Sequence, residues 1–206
     1  MTTSFTTQVA APWSTLVDGV CALGADELII LHHDGRFVLA GCAGTATTEQ
    51  LAFLIRHSTG FVQVALHERD CDRLLLPEAT PDVRDAGASS YGQCVAVDAA
   101  LGVTTGISGA DRARTARVLA DPDSNSDDLN RPGHLVPVRV NPFAFQDRLS
   151  AAAVALALTD AARPECSGAL FADIAGIVDP AELADARDAE TIAARYGLTT
   201  VSSVNP

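Results

Sequence analysis

The amino-acid sequence predicts an α/β fold in which helices cover a β-sheet. Three observations carry this prediction: helical apolar spacing alternates with short apolar runs, no segment repeats, and 48% of the 206 residues are hydrophobic with few aromatics. The length suffices for one full hydrophobic core. We therefore expect a single domain over residues 13–206, preceded by a flexible N-terminus over residues 1–12.

The elements follow from apolar spacing and from residues that start or end helices. Ser14 is the expected cap of the first helix, and Thr47 or Thr48 that of the second. Asp179-Pro180 starts the last helix, and Gly197 ends it. We predict helices at 15–23, 49–57, 113–119, 149–162 and 181–196, and strands at 27–31, 36–40, 61–66, 94–97, 135–139, 169–174 and 199–204. A turn is expected at 32–35, and a surface loop, with or without a short helix, at 68–88.

The charge of the chain limits the classes of partner that it can bind. All 14 basic residues are arginine, and the formal net charge is −12. Nucleic-acid phosphates and anionic membranes both need a basic surface, so we expect neither as a partner. A lysine Schiff base is excluded within this sequence.

The cysteines indicate a reducing environment. They are odd in number and contain no C-x-x-C pair, which speaks against a zinc cluster or a disulfide framework. No signal peptide or membrane-spanning run is visible, so we predict a cytoplasmic protein. The cysteines are Cys21, Cys42, Cys71, Cys94 and Cys166.

The most informative stretch runs from Gly102 to Arg139 and holds two polar clusters around one helix. Its patterns, TGIS-x-x-DR-x-x-T and then DLNRPGH-x-x-P-x-R, resemble the 3,4-dihydroxy-2-butanone 4-phosphate synthase family, which makes the four-carbon riboflavin precursor from ribulose 5-phosphate. The upstream segment TTEQLAFLIRHSTGFVQVAL is similar to a helix and strand of that family. The resemblance implies a three-layer α+β sandwich with a mixed sheet, a homodimer and a divalent metal, normally magnesium.

The resemblance also implies a set of site residues. His134 matches the family's catalytic-site histidine, and an imidazole side chain suits proton transfer. Asp34 falls on the family's metal glutamate and is a candidate for catalysis and for metal binding. Asp111 and Arg112 alternatively form a structural ion pair, and the loop hydroxyls alternatively satisfy turn backbone. The substrate-binding candidates are Thr105, Ser108, Asp111, Arg112, Thr115, Arg131 and Arg148.

The sequence departs from the family at the metal site. The family's acidic loop, R-E-N-E-G-D, falls on residues 33–38, which retain only Asp34 as a carboxylate. The family's metal histidine falls on Ala151, and the glutamate of its V-x-C-E strand falls on Ala172, with Asp173 adjacent. We therefore expect no cofactor, because most magnesium ligands of the family are missing.

Two further clusters are weaker candidates. His32, His33 and Asp34 suit a transition metal by residue type, but adjacent strand residues point to opposite faces, which favours a solvated turn. Cys94 is a possible nucleophile by residue type, against the alternative of a small buried apolar residue.

Three functions fit this sequence. The first is a repurposed lyase or isomerase that acts on a small polyol, sugar phosphate or acid, with magnesium-dependent conversion of ribulose 5-phosphate absent or weak. The second is a dimeric scaffold or binding pseudoenzyme without turnover. The third is a genuine riboflavin-pathway synthase with an altered metal site. All three imply a homodimer, and the enzymes imply a small-molecule substrate.

Overall fold

The computed structural model describes residues 14–79, 91–141, 150–165 and 168–203. The helices are α1 (Leu16–Gly24), α2 (Thr48–His57), α3 (Glu68–Arg73), α4 (Gly109–Ala120), α5 (Ala151–Ala162) and α6 (Ala186–Tyr196). The strands are β1 (Ile29–His33), β2 (Arg36–Cys42), β3 (Gln63–His67), β4 (Tyr91–Gln93), β5 (Val97–Ala99), β6 (Leu129–Val140), β7 (Ala169–Asp173) and β8 (Thr199–Ser202).

The strands form one mixed sheet with helices on both faces. Its order is β4-β6-β3-β7-β2-β1-β8, with β5 also paired to β6, and only β1/β8 and β3/β6 are parallel. Helices α1 and α5 pack together over one face, while α2 and α4 pack together over the other. This arrangement confirms the predicted three-layer α+β fold. No helix within the described ranges has both the length and the apolar character needed to cross a bilayer.

Local capping chemistry sets the helix starts. Thr15, rather than Ser14, caps α1, because its hydroxyl accepts from the Asp18 backbone N–H while the Asp18 carboxylate accepts from Thr15. Thr47 caps α2 in the same way. The last helix begins at Ala186 rather than at residue 181, because Asp185 is its cap. Residues before it instead return to the sheet, where Ala184 donates to the Ile174 carbonyl.

Strand boundaries differ more from prediction, because pairing partners set them. The expected strand over 94–97 falls mostly between two strands, β4 and β5, that pair with different parts of β6. The R-P-G-H segment, which precedes the strand expected at 135–139, lies inside β6. Both histidines of the expected turn belong to β1, and only Asp34 and Gly35 turn the chain, with φ of 47° and 75°. Positive φ at both central residues is typical of a two-residue hairpin.

The register brings distant segments to one edge of the sheet. Gln63 on β3 pairs with Val136 on β6 and with Phe171 on β7. Two residues beyond this row lie His134 and Asp173, on the same edge as the β1–β2 turn. This edge holds the candidate site.

Candidate active site

His134 and Asp98 form the centre of the site. The His134 backbone N–H donates to Asp98 Oδ1 at 3.0 Å, and its ring Nδ1 lies 2.8 Å from Asp98 Oδ2. Asp98 is buried, whereas 38% of the His134 side chain is exposed. A carboxylate acceptor at Nδ1 places the ring proton there and leaves Nε2 as the basic nitrogen. The dyad therefore suits removal of a proton from a bound molecule.

Two glycines allow the chain to close around Asp98. A side chain at Gly133 would place its Cβ 2.0 Å from the Val97 carbonyl carbon. A Cβ at Gly106, whose φ is 83°, would lie 2.0 Å from Asp98 Oδ2. The two glycine-containing motifs thus meet at one carboxylate. Sequence reasoning missed Asp98, although an acidic residue within the apolar run VAVDAA is a visible signal.

Arg112 brings a positive charge to the same place. Its Nη1 donates to the Gly60 carbonyl at 3.2 Å, and its buried Nε has no hydrogen-bond partner. Burial lowers the pKa of Arg112, and the charge of Asp98 opposes that shift. A buried, unsatisfied donor is costly, so it favours a bound anionic or oxygen-rich ligand.

Asp111 faces the T-G-I-S loop, whereas Arg112 faces Gly60. The Asp111 carboxylate accepts from the Thr104 hydroxyl at 2.8 Å, from the Thr104 N–H and from the Gly106 N–H. The Thr104 hydroxyl makes the largest contribution to the lowered pKa of Asp111. These bonds hold the loop that packs on Asp98.

Among the other predicted binding residues that the structure describes, some bond to backbone groups of the fold and one is exposed to solvent. Ser108 caps α4 by accepting from the Asp111 N–H, and fully buried Thr115 accepts from the Ala99 N–H while donating to the Asp111 carbonyl. Arg131 donates to the carbonyls of Leu74, Ser126 and Leu129. The Thr105 side chain is exposed. Arg148 lies outside the described residues, and substrate contact by any of these residues stays a prediction.

A second charged pair lies at the sheet edge. Arg36, at the start of β2, contacts the Asp173 carboxylate at the end of β7 through its Nη2. Ala172 is fully buried, so Asp173 is the carboxylate that this strand presents at the edge. Asp34 is exposed in the hairpin turn. Asp34, a candidate for catalysis and metal binding, therefore lies two residues before an arginine whose carboxylate partner sequence reasoning did not anticipate.

The weaker candidates have other partners. His32 Nδ1 lies 3.3 Å from Ser202 Oγ, and His33 Nδ1 lies 2.6 Å from Ser203 Oγ, so the two rings contact different serines. Cys94 is buried, and a hydrogen bond with Cys71 is the main cause that lowers its pKa to about 7.

Magnesium requires several oxygen ligands in near-octahedral order. Across the four described ranges, no group of three or more histidine, cysteine, aspartate or glutamate side chains is spaced to hold a metal ion. Asp173 has one buried oxygen without a hydrogen-bond partner, but its other oxygen contacts Arg36. Within these ranges a magnesium ion would therefore have at most two such side chains as ligands.

The fold and site together define a mixed-sheet α+β protein with a carboxylate-oriented histidine suited to acid–base chemistry. A profile of the 3,4-dihydroxy-2-butanone 4-phosphate synthase family matches residues 22–205. The chain belongs to this family.

Individual relatives agree with this assignment. The riboflavin biosynthesis protein RibBA of Nocardia farcinica is 41% identical over 133 residues, which cover 62% of this chain and 31% of that protein. The chain thus matches less than a third of that relative's length.

Solved structures show the same fold over most of the chain. The 3,4-dihydroxy-2-butanone 4-phosphate synthase of Candida albicans superposes with a TM-score of 0.82 at 27% identity, covering 93% of this chain and 95% of that one. A second synthase structure, in complex with two magnesium ions, has a TM-score of 0.81 at 26% identity and covers 92% of this chain and 93% of its own. Magnesium is thus bound within the family.

Proposed function

We propose that this chain binds ribulose 5-phosphate and forms 3,4-dihydroxy-2-butanone 4-phosphate, the riboflavin precursor. The observation that carries the proposal is the Asp98–His134 dyad, with its free Nε2 at the exposed edge of the sheet. Family membership and the names of the relatives support this third function over a repurposed enzyme or a pseudoenzyme.

The reaction must begin with removal of a proton from a carbon beside the ketone. His134 Nε2 is the base for that step, because Asp98 holds the opposite ring nitrogen and stabilises the imidazolium that forms. Arg112, with its unsatisfied buried Nε, is placed to stabilise negative charge on a substrate oxygen. We also propose that the chain forms a homodimer and acts in the cytoplasm.

Formate release from ribulose 5-phosphate tests the proposal. We expect purified protein to release formate, and His134→Asn to reduce the rate by about 100-fold or more, since general base catalysis contributes on that order. His57→Asn is the matched control, because His57 packs against Phe53 and Tyr196 at the end of α2. Equal rates for the two variants would count against His134 as the base.

One observation favours the repurposed enzyme as a second candidate. Where the resemblance places the family's acidic loop, the chain makes a tight turn at Asp34-Gly35, and the first residue of α5 is Ala151. Absent formate release together with retained binding of ribulose 5-phosphate would favour this candidate.

A further inference from the structure

The Arg36–Asp173 pair takes no part in the proton transfer proposed for His134. Arg36 begins β2 and Asp173 ends β7, and the antiparallel register pairs Val38 with Asp173. The Asp173 side chain is 18% exposed and that of Arg36 is 47% exposed. Asp173 Oδ1 is buried without a hydrogen-bond partner. A buried carboxylate oxygen in this state favours a ligand hydroxyl or a cation.

This pair shares an edge and a face of the sheet with His134. The row that joins Val136, Gln63 and Phe171 puts His134 and Asp173 two residues beyond it, on strands separated only by β3. Adjacent strands lie about 4.8 Å apart, so these two strand axes are about 10 Å apart. Side chains two residues apart share a face, and Phe171 and Val138 pack in one core cluster, so His134 and Asp173 are on the same face. One sugar phosphate can span this distance.

A guanidinium and a divalent cation compete for the same carboxylate. Arg36 already neutralises Asp173, and its positive charge repels a metal ion at that place. One carboxylate engages at most two of the five N–H groups of an arginine. The remaining donors suit the carbonyl and hydroxyl oxygens that a hard cation would otherwise bind.

We propose that Arg36 takes the place of the divalent cation in this chain, so that the site binds ribulose 5-phosphate without magnesium. Arg36 donates to substrate oxygens, and Asp173 holds the guanidinium while its Oδ1 accepts from a substrate hydroxyl. The choice of ribulose 5-phosphate as substrate rests on the proposed function. The replacement of the cation by a guanidinium rests on the Arg36–Asp173 contact.

Calorimetric titration of ribulose 5-phosphate tests whether Arg36 binds the substrate without magnesium. We expect wild-type protein to bind with the same Kd, within about twofold, in Mg²⁺ and in EDTA. Arg36→Gln should weaken binding at least tenfold, since a charge-assisted hydrogen bond is worth that much. Arg56→Gln, on the exposed side of α2, should leave the Kd unchanged. Tenfold tighter wild-type binding in Mg²⁺, or an unchanged Kd in Arg36→Gln, would overturn it.

Binding of Mn²⁺ tests, without any substrate, whether Arg36 keeps a divalent cation away from Asp173. The electron paramagnetic resonance signal of Mn²⁺ measures this binding. We expect wild-type protein to leave millimolar Mn²⁺ free, and Arg36→Glu to bind it, because two carboxylates then face each other. Wild-type binding of Mn²⁺ that is lost in Asp173→Asn would overturn the replacement of the metal. If ribulose 5-phosphate does not bind at all, the proposed function and the substrate role of Arg36 both fail, and the Mn²⁺ result still decides whether Arg36 excludes a cation.

Discussion

His134 and Asp98 are joined by two hydrogen bonds, one from the histidine backbone and one at its ring. The backbone bond fixes the position of the carboxylate relative to β6, and the ring bond fixes the tautomer. The pair is therefore oriented by the sheet itself rather than by a flexible side chain. Most of the site's chemistry follows from this relationship.

Asp98→Asn should disable the histidine without removing it. The asparagine amide N–H would donate to Nδ1 and so move the ring proton to Nε2, the nitrogen that must act as base. We expect formate release to fall by about 100-fold, and the ¹⁵N spectrum of His134 to show the other tautomer. Asp123→Asn, in an exposed loop, should change neither reading. An unchanged tautomer in Asp98→Asn would refute this role.

Asp111 should make the stability of the protein depend on pH. Its folded-state pKa is lowered, chiefly by the Thr104 hydroxyl, so its contribution to stability is complete above its unfolded pKa of about 3.9 and is lost as pH falls through the folded value. The difference in free energy of unfolding between wild type and Asp111→Asn should therefore shrink between pH 5 and pH 2. Urea unfolding across that range measures it.

A paired substitution separates the Asp111 effect from other carboxylates. Thr104→Val removes the hydroxyl that donates to Asp111, whereas Thr104→Ser keeps it. We expect the pH dependence to weaken in Thr104→Val and to persist in Thr104→Ser. The same pH dependence in both variants would mean that the hydroxyl is not its cause.

Thr115 should be needed for its hydroxyl rather than for its shape. The buried Oγ1 accepts from the Ala99 N–H at 2.9 Å and donates to the Asp111 carbonyl at 3.0 Å. Thr115→Val leaves the Ala99 N–H buried without an acceptor, which should cost about 1–3 kcal/mol. Thr115→Ser retains the hydroxyl and should cost less. Chemical denaturation measures the free energy of unfolding of both variants. Equal losses in the two variants would contradict the need for the hydroxyl.

Gly133 should tolerate no side chain. The added Cβ would meet the Val97 backbone at 2.0 Å, so β5 and β6 must separate and pull Asp98 from His134. We expect Gly133→Ala to lower the free energy of unfolding by about 3 kcal/mol or more. Gly24→Ala, whose Cβ has no neighbour closer than 3.9 Å, is the control and should be near neutral. A thermal melt that is unchanged in Gly133→Ala would refute the close approach.

Local structure was largely predictable from the sequence. The first helices were placed within a residue or two, because threonine caps and apolar spacing act over three or four neighbours. The start of α6 was wrong by five residues, because residues 181–184 contain helix-compatible types that instead bond back to the sheet. Strand limits at β4, β5 and β6 were wrong for a similar reason, since they depend on partners far along the chain.

The sequence alone determined the family, the fold class, the acidic surface and His134 as the leading catalytic candidate. Only the tertiary structure showed that Asp98, 36 residues earlier, orients that histidine, and that Arg36 meets Asp173 across 137 residues. Residue types and spacing specify contacts within a helix or a turn, because these span a few positions. Contacts between strands depend on the order and register of the whole sheet, which no local pattern encodes.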